Sequence, residues 1–288
     1  MSERLEIGPL RWRLRMIVAY KVVLPILILR KRLCEILRRS AVPEILGVNI
    51  GGGHFLRWRW RTLDRISPQY PYSTSYVDYD FDLTTSDPLP LESESVRFLY
   101  SAHTLEHIPQ EHCQHIMSEI YRILAPGGAV RFTMPDFDKY YDAYRHRNYA
   151  FFGMGSRDNE GSDSIEHSFL NTFASAVCGE VSVQDIRRNF DTLSREAFAD
   201  HYTGLASRER QAENPGFHVN WWNYDKLERI LTKAVFKQVY RSAPQQSRFP
   251  ELRGTEWFFG IGKGGCLDVF TGIDTTNSDI SVYAEAVK

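Results

Sequence analysis

Two short runs hold the groups best placed to do chemistry. The first is EILGVNIGGGHF, Glu44 to Phe55, where an apolar stretch ends in Gly51, Gly52 and Gly53. Glycines at a strand end adopt positive φ and let a ligand touch bare backbone, and N–H groups at such a turn suit an anion such as a carboxylate. The second is HTLEH, His103 to His107, with two histidines four residues apart and Glu106 beside the second. Histidine titrates near neutrality and serves as a general base, and two histidines at that spacing on one helical face can also hold a metal. A triphosphate is not the natural ligand: the G-x-x-x-x-G-K-S/T pattern is missing, and GIGKGG around Gly262 lacks both its first glycine and its hydroxyl residue.

The elements that position these groups follow from the apolar pattern. Buried-strand character runs through Glu44 to Ile50, Arg61 to Ile66, Ser75 to Thr84 and Ser95 to His103, so the glycines and His103 both fall at strand ends. In PQEHCQHIMSEIYRILAPGG, Cys113, Ile116, Met117, Ile120, Ile123 and Leu124 recur at helical intervals, and Pro126-Gly127-Gly128 stops the pattern. The strand Ala129 to Asp136 follows at once, so strand, helix and strand predict a parallel crossover and an α/β layered domain. Four parts are expected: an arm over 1–43, a core over 44–148, a polar insertion with some helix over 149–216, and a return to the core over 217–288. In the last part Asn223 caps a helix carrying Leu227, Ile230 and Leu231, and KQVYRSA and ISVYAEAVK read as the final two strands.

Charge limits the partners. Residues 1–40 carry ten Lys or Arg against three Glu, whereas the whole chain has 35 basic and 36 acidic residues, so the remainder is net acidic. No nucleic-acid partner is expected, and RWRWR, Arg57 to Arg61, reads as packed tryptophans with snorkelling arginines rather than as a base-stacking surface. The arm's apolar run, Met16 to Leu29, spans 14 residues and contains Lys21 and Pro25, too short and too interrupted for a membrane span of roughly 20 residues. RKR closes it in place of a cleavage site. Two readings stay open: an interfacial helix facing an anionic membrane surface, or a helix packed on its own domain. Cys34, Cys113, Cys178 and Cys266 form no C-x-x-C pair, so the expected setting is reducing and cytoplasmic, with no disulfide framework or zinc knuckle.

The order of the features resembles the class I S-adenosylmethionine-dependent methyltransferases. The glycine turn, the acid at Asp64, DLTTSDPLPLESESVRFLYSAHTLEHIP, EIYRILAPGG and AVRFTMPD come in that family's sequence. The similarity covers about Ile45 to Tyr144 and 217–288, and is greatest to a bacterial subgroup associated with glycan assembly whose first strand reads L-N-I-G-x-G. It implies a doubly wound, mostly parallel seven-stranded Rossmann-like sheet and S-adenosyl-L-methionine as cofactor. The cofactor-binding residues it implies are Asn49, Gly51, Gly52, Gly53, Asp64, Asp82, Leu83, Ser101 and His103. Asp64 would accept the ribose hydroxyls, Asp82 or the backbone beside it would meet the adenine, and 101–103 would line the cofactor. Only eleven positions separate Gly53 from Asp64, so the usual first helix is shortened or absent.

Methyl transfer is an in-line displacement in which positioning supplies much of the acceleration, and a base is needed mainly for a hydroxyl acceptor. His103 is the candidate base, with His167 and His218, in or beside the insertion, as acceptor-side candidates. Glu106 and His107 read as fixing a helix start, and the tryptophans of HVNWWNY as sugar-stacking or core. The expected acceptor is a saccharide or glycolipid-linked hydroxyl, and no metal is assigned. The alternatives are a non-catalytic protein on the same fold and a zinc hydrolase of the H-x-x-E-H type. The hydrolase needs His103 on a helix, whereas the apolar run before it leaves His103 at a strand end.

Overall fold

The computed structural model describes Leu29 and residues 45–51, 59–67, 77–154, 164–253, 257–261, 267–271 and 278–288. Gly52, Gly53 and, apart from an exposed helical Leu29, the N-terminal arm lie outside the described residues. Among the described residues nine strands follow in chain order: β1 (Gly47–Ile50), β2 (Trp60–Asp64), β3 (Tyr79–Asp80), β4 (Val96–Ala102), β5 (Leu124–Pro135), β6 (Gln238–Arg241), β7 (Trp257–Ile261), β8 (Leu267–Thr271) and β9 (Ser281–Val287). Seven form one sheet in the order β3-β2-β1-β4-β5-β9-β6. β1 to β5 are mutually parallel, and β9 runs antiparallel between β5 and β6. This is the expected doubly wound, mostly parallel seven-stranded sheet of a Rossmann-like methyltransferase.

One face is covered by α1 (Gln110–Ile123) and α7 (Tyr224–Lys233). Their apolar stripes, Cys113, Ile116, Met117, Ile120 and Ile123 on α1 and Leu227, Ile230 and Leu231 on α7, join Val48, Ile50, Leu99, Val130 and Phe132 in the main core. On the other face Trp60, Phe98, Tyr100 and Ala129 pack with Leu252 of the short α8 (Pro250–Arg253). Trp60 is thus core. Trp221 and Trp222, both buried, are also packed inside and offer no face for a sugar.

A second core belongs to a helical lobe. It is built from α2 (Phe137–Arg145), α3 (Ile165–Asn171), α4 (Val183–Thr192), α5 (Arg195–Gly204) and α6 (Arg208–Glu213). Phe137, Tyr140, Tyr141, Tyr144, Phe169, Phe173, Phe198, Tyr202 and Trp221 share its interior, so the lobe's core starts at Phe137 and closes at Trp221, wider than the expected 149–216. Phe169 stacks on Tyr144 at 4.7 Å and on Phe198 at 5.6 Å, pairings that add to plain burial. Ser164, Ser182, Ser194 and Ser207 cap the last four of these helices by accepting backbone N–H groups.

Three expectations shift. Pro126-Gly127-Gly128 lies inside β5, because Val96 pairs with Leu124 and Phe98 next pairs with Ala129, so LAPGG bulges within the ladder. The third strand shrinks to two residues, since Asp82 turns the chain just beyond it. KQVYRSA and ISVYAEAVK are separated in sequence by an unexpected antiparallel pair of strands, β7 with β8, the first of which contains Gly260. Among the described residues no helix is long and apolar enough to cross a membrane.

Candidate active site

The chain order in the sheet reverses at β1, with β2 and β3 on one side and β4 and β5 on the other. Open α/β sheets bind ligands outside the carboxyl ends of their strands at such a switch point. Gly51 sits there at φ 70°, its N–H donating to the Leu63 carbonyl at 2.9 Å. A Cβ on Gly51 would lie 2.7 Å from the Cβ of Thr104, so only glycine lets β1 end this close to the chain leaving β4. The Thr104 hydroxyl bonds the carbonyls of Ile50 (3.3 Å) and Ala102 (3.2 Å), tying the two strand ends together.

The other expected cofactor residues divide into rim and interior. Asp64 ends β2, half-buried, with Oδ1 accepting the Arg65 N–H at 2.8 Å. Asp82 accepts the Thr84 N–H (2.9 Å) and hydroxyl (2.7 Å) and pairs with Arg65 at 3.0 Å. Burial raises its carboxyl, and these partners outweigh that and leave it below the ordinary range. The Asp82 carboxylate therefore shapes the turn, while the buried Leu83 side chain leaves its backbone as the part that can meet a ligand. Asn49 and Ser101 are buried within β1 and β4.

His103 follows β4 at φ 49°, a region costly for a side chain with a Cβ, and its N–H donates to the Thr133 carbonyl at 2.8 Å. Its Nδ1 lies 3.2 Å from Glu106 Oε1, and its Nε2 lies 3.0 Å from the hydroxyl of Ser281 in β9. Ser281 reaches it because β9 pairs with β5 in a register that sets Ser281 opposite Pro135. Glu106 occupies a single 3₁₀ turn, Leu105–His107, and is 1% exposed. Burial pushes its carboxyl up, and His103, His107 and His218 more than reverse this, leaving it below the usual range.

His218 enters this corner from the lobe's return segment. Its ring stands edge-on to His107 with centroids 4.9 Å apart, and its Nδ1 donates to the Thr172 carbonyl at 2.7 Å. Burial, then His107, hold its imidazole below the ordinary value. His107 Nδ1 donates in turn to the Phe217 carbonyl at 3.1 Å. His167 is engaged within the lobe: Ser164 holds its Nδ1 at 3.0 Å and the Val181 carbonyl holds its Nε2 at 2.8 Å. Glu106 and His107, taken from the sequence as fixing a helix start, are the centre of the site, and Ser281 carried no sequence signal. Because Leu105–His107 is a lone 3₁₀ turn and His103 precedes it, His103 and His107 share no helical face, and the H-x-x-E-H hydrolase arrangement is absent.

Residues 63–132 match the family model described as a methyltransferase domain. A comparison with curated proteins found no match. Among solved structures, the chain is similar to an S-adenosylmethionine-dependent methyltransferase from Thermotoga maritima, at 15% identity over 95% of this chain and 97% of that one, TM-score 0.39. Another from Mesorhizobium loti shares 13% identity over 87% and 95% of the two chains, TM-score 0.40. A third, from Archaeoglobus fulgidus, shares 10% over 90% and 94%, TM-score 0.39. The matched segment runs from the end of β2 through β4 and α1 into β5, so it includes the β4 side of the switch point, while β1 and Gly51 precede it. That match and the sheet order define the class: an S-adenosylmethionine-dependent methyltransferase. The rim suits the cofactor, with a turn at Gly51 that tolerates no Cβ and a half-buried acid, Asp64, at the next strand end.

Proposed function

We propose that the protein methylates a hydroxyl, and that the acceptor is a saccharide or a glycolipid-linked sugar, with His103 as the base. The observation that carries the hydroxyl reading is the pairing of His103 Nδ1 with the fully buried Glu106 carboxylate at 3.2 Å, at the carboxyl end of β4. A carboxylate on one ring nitrogen fixes the tautomer that leaves the other nitrogen basic, and such orientation is wasted on an acceptor that needs no deprotonation. Nε2 then faces the Ser281 hydroxyl at 3.0 Å, a geometry an acceptor hydroxyl can adopt in its place. Bound S-adenosylmethionine would supply an electrophilic sulfonium methyl, which passes to the acceptor oxygen as the carbon–sulfur bond breaks and S-adenosylhomocysteine leaves. The chain's own contribution is to place the base, take the hydroxyl proton on Nε2, and seat the cofactor on the rim at Gly51 and Asp64 so that the acceptor oxygen lies beside His103. The saccharide class is supported by the resemblance of the LGVNIGGG strand end to the glycan-assembly subgroup.

Incubation of the protein with S-adenosylmethionine and fractionated saccharide and glycolipid acceptors, with product hydroxyl methylation read by mass spectrometry, tests this. His103→Ala is expected to keep cofactor binding by calorimetry and lose about 10²–10⁴-fold in kcat. Wild-type turnover in His103→Ala, or methylation only of nitrogen or carbon acceptors, overturns the hydroxyl reading. Cofactor binding with no transfer to any fraction favours the non-catalytic alternative.

A further inference from the structure

Three groups in the same corner have work that the base does not explain. Glu106, His107 and His218 each offer a ligand atom, and those atoms lie within 4.8 Å of one another. A backbone carbonyl only accepts, so His107 and His218 each carry a proton on Nδ1, toward Phe217 and Thr172, and each keeps a lone pair on Nε2. An N–H held by a backbone carbonyl is the usual second contact of a metal-binding histidine, because it fixes the tautomer and raises the basicity of the ligating nitrogen.

Glu106 supplies an independent observation. It is 1% exposed, and its Oε2 has no hydrogen-bond partner among the described residues. Its ion-pair contacts among those residues are His103 at 3.2 Å and His107 at 4.0 Å, with no lysine or arginine. A buried carboxylate without full compensation is costly, and carboxylates so placed are paired or coordinate metals. The neighbouring Tyr140, which also feels the Glu106 charge, brings no cation.

We propose that Glu106, His107 and His218 form a binding site for one divalent transition-metal ion of the zinc class. Two imidazoles and one carboxylate suit Zn²⁺, Co²⁺ or Mn²⁺ and disfavour Mg²⁺ and Ca²⁺, which prefer oxygen ligands throughout. Ligand atoms in a tetrahedral site stand ~3.4 Å apart, so the observed spacing closes with side-chain shifts of about 1 Å. Three protein ligands leave a position for water or for an acceptor oxygen, the pattern of catalytic rather than structural sites. This ligand set differs from the H-x-x-E-H expectation, in which both histidines of the motif ligate: here His103 orients Glu106, and His218, from the lobe, replaces it. A role in methyl transfer, with the ion lowering the pKa of the acceptor hydroxyl, rests on the function proposed above; the binding site does not.

The test uses the full chain, stripped with chelator and titrated with Co²⁺ while its visible absorption is followed, with Zn²⁺ as competitor and Mg²⁺ as control. One equivalent of Co²⁺ with ligand-field bands, displaced by Zn²⁺ and not by Mg²⁺, is expected. His218→Ala and Glu106→Gln should each weaken binding by about 100-fold or more, while His146→Ala, on the exposed end of α2, should not. Calorimetry with S-adenosylmethionine on the same variants establishes that they are folded. Absence of Co²⁺ bands, or cobalt binding that both variants retain in full, overturns the site. Methyl transfer to hydroxyls that survives chelation with no cobalt binding sinks the metal site and leaves the function standing. Cobalt binding that depends on His218 without any hydroxyl methylation does the reverse.

Discussion

Replacing Gly51 by alanine tests the geometry on which the whole rim depends. The residue sits at φ 70°, where a side chain with a Cβ costs about 1–2 kcal/mol. The new methyl also meets Thr104, with its Cβ at 2.7 Å and its Cγ2 at 2.5 Å, and overpacking of that kind adds about 1–3 kcal/mol. Gly51→Ala should therefore destabilise the fold by about 2–5 kcal/mol in urea unfolding and weaken S-adenosylmethionine binding in the fraction that remains folded. The two contributions separate in a cycle with Thr104→Gly, which removes the obstructing side chain and leaves only the dihedral cost. In that background the Gly51→Ala penalty should fall to about 1–2 kcal/mol. An equal penalty in both backgrounds would show that Thr104 is not what demands a glycine, and a penalty near zero in wild type would mean that β1 ends differently.

Arg131 and Glu285 are fully buried and face each other across β5 and β9 at 2.5 Å, so Glu285→Ala should cost about 3–5 kcal/mol by stranding the arginine, and the double change to leucines should recover most of it. Chemical denaturation of the two variants checks this, and a double variant no more stable than Glu285→Ala would refute it. Burial pushes Lys226 down to about 7, so above that pH the folded chain has released a proton that the unfolded chain keeps up to about 10.4. Stability should then rise with pH from about 7 upward, by about 1.5 kcal/mol between pH 7 and 8.5, and Lys226→Met should remove that slope; an unchanged slope in the variant would assign it to other groups.

The parts of the fold legible in the sequence are those where a local period carries the burial. β1, β4, α1 and α7 lie near their expected places because their apolar residues repeat at strand or helix spacing against one sheet. The lobe was legible only as a polar insertion with some helix, because Ser164, Ser182, Ser194 and Ser207 each cap a short helix with few buried residues, and none are buried on α6. Arg131 and Glu285 looked like solvent-facing charges in strands, and only the β5/β9 register, 154 residues apart in sequence, makes them a buried pair. In the site, His103 and His218 were legible as residue types near the right elements. Glu106 was not, since a carboxylate's burial depends on what the later chain lays over it.

That covering segment explains how the turn at the carboxyl end of β4 becomes a site. The Glu106 carbonyl accepts the N–H groups of Val219 (2.9 Å) and Asn220 (3.1 Å), and the Asn220 amide donates to the Ile108 carbonyl at 3.0 Å. Lys226 then holds Asn220 Oδ1 at 2.7 Å and the Trp221 carbonyl at 2.8 Å. Residues 217–226 are thus fastened along the turn after β4 by hydrogen bonds whose loss inside the protein would each leave a buried polar group unmatched. The same strap carries His218 to His107 and seals Glu106 from water, so the charge that orients His103 exists in its buried form only when the lobe has returned to the sheet. Lobe and sheet are therefore joined through the chemistry itself, and a change that loosens the strap, such as Asn220→Ala, acts on Glu106 before it acts on either core.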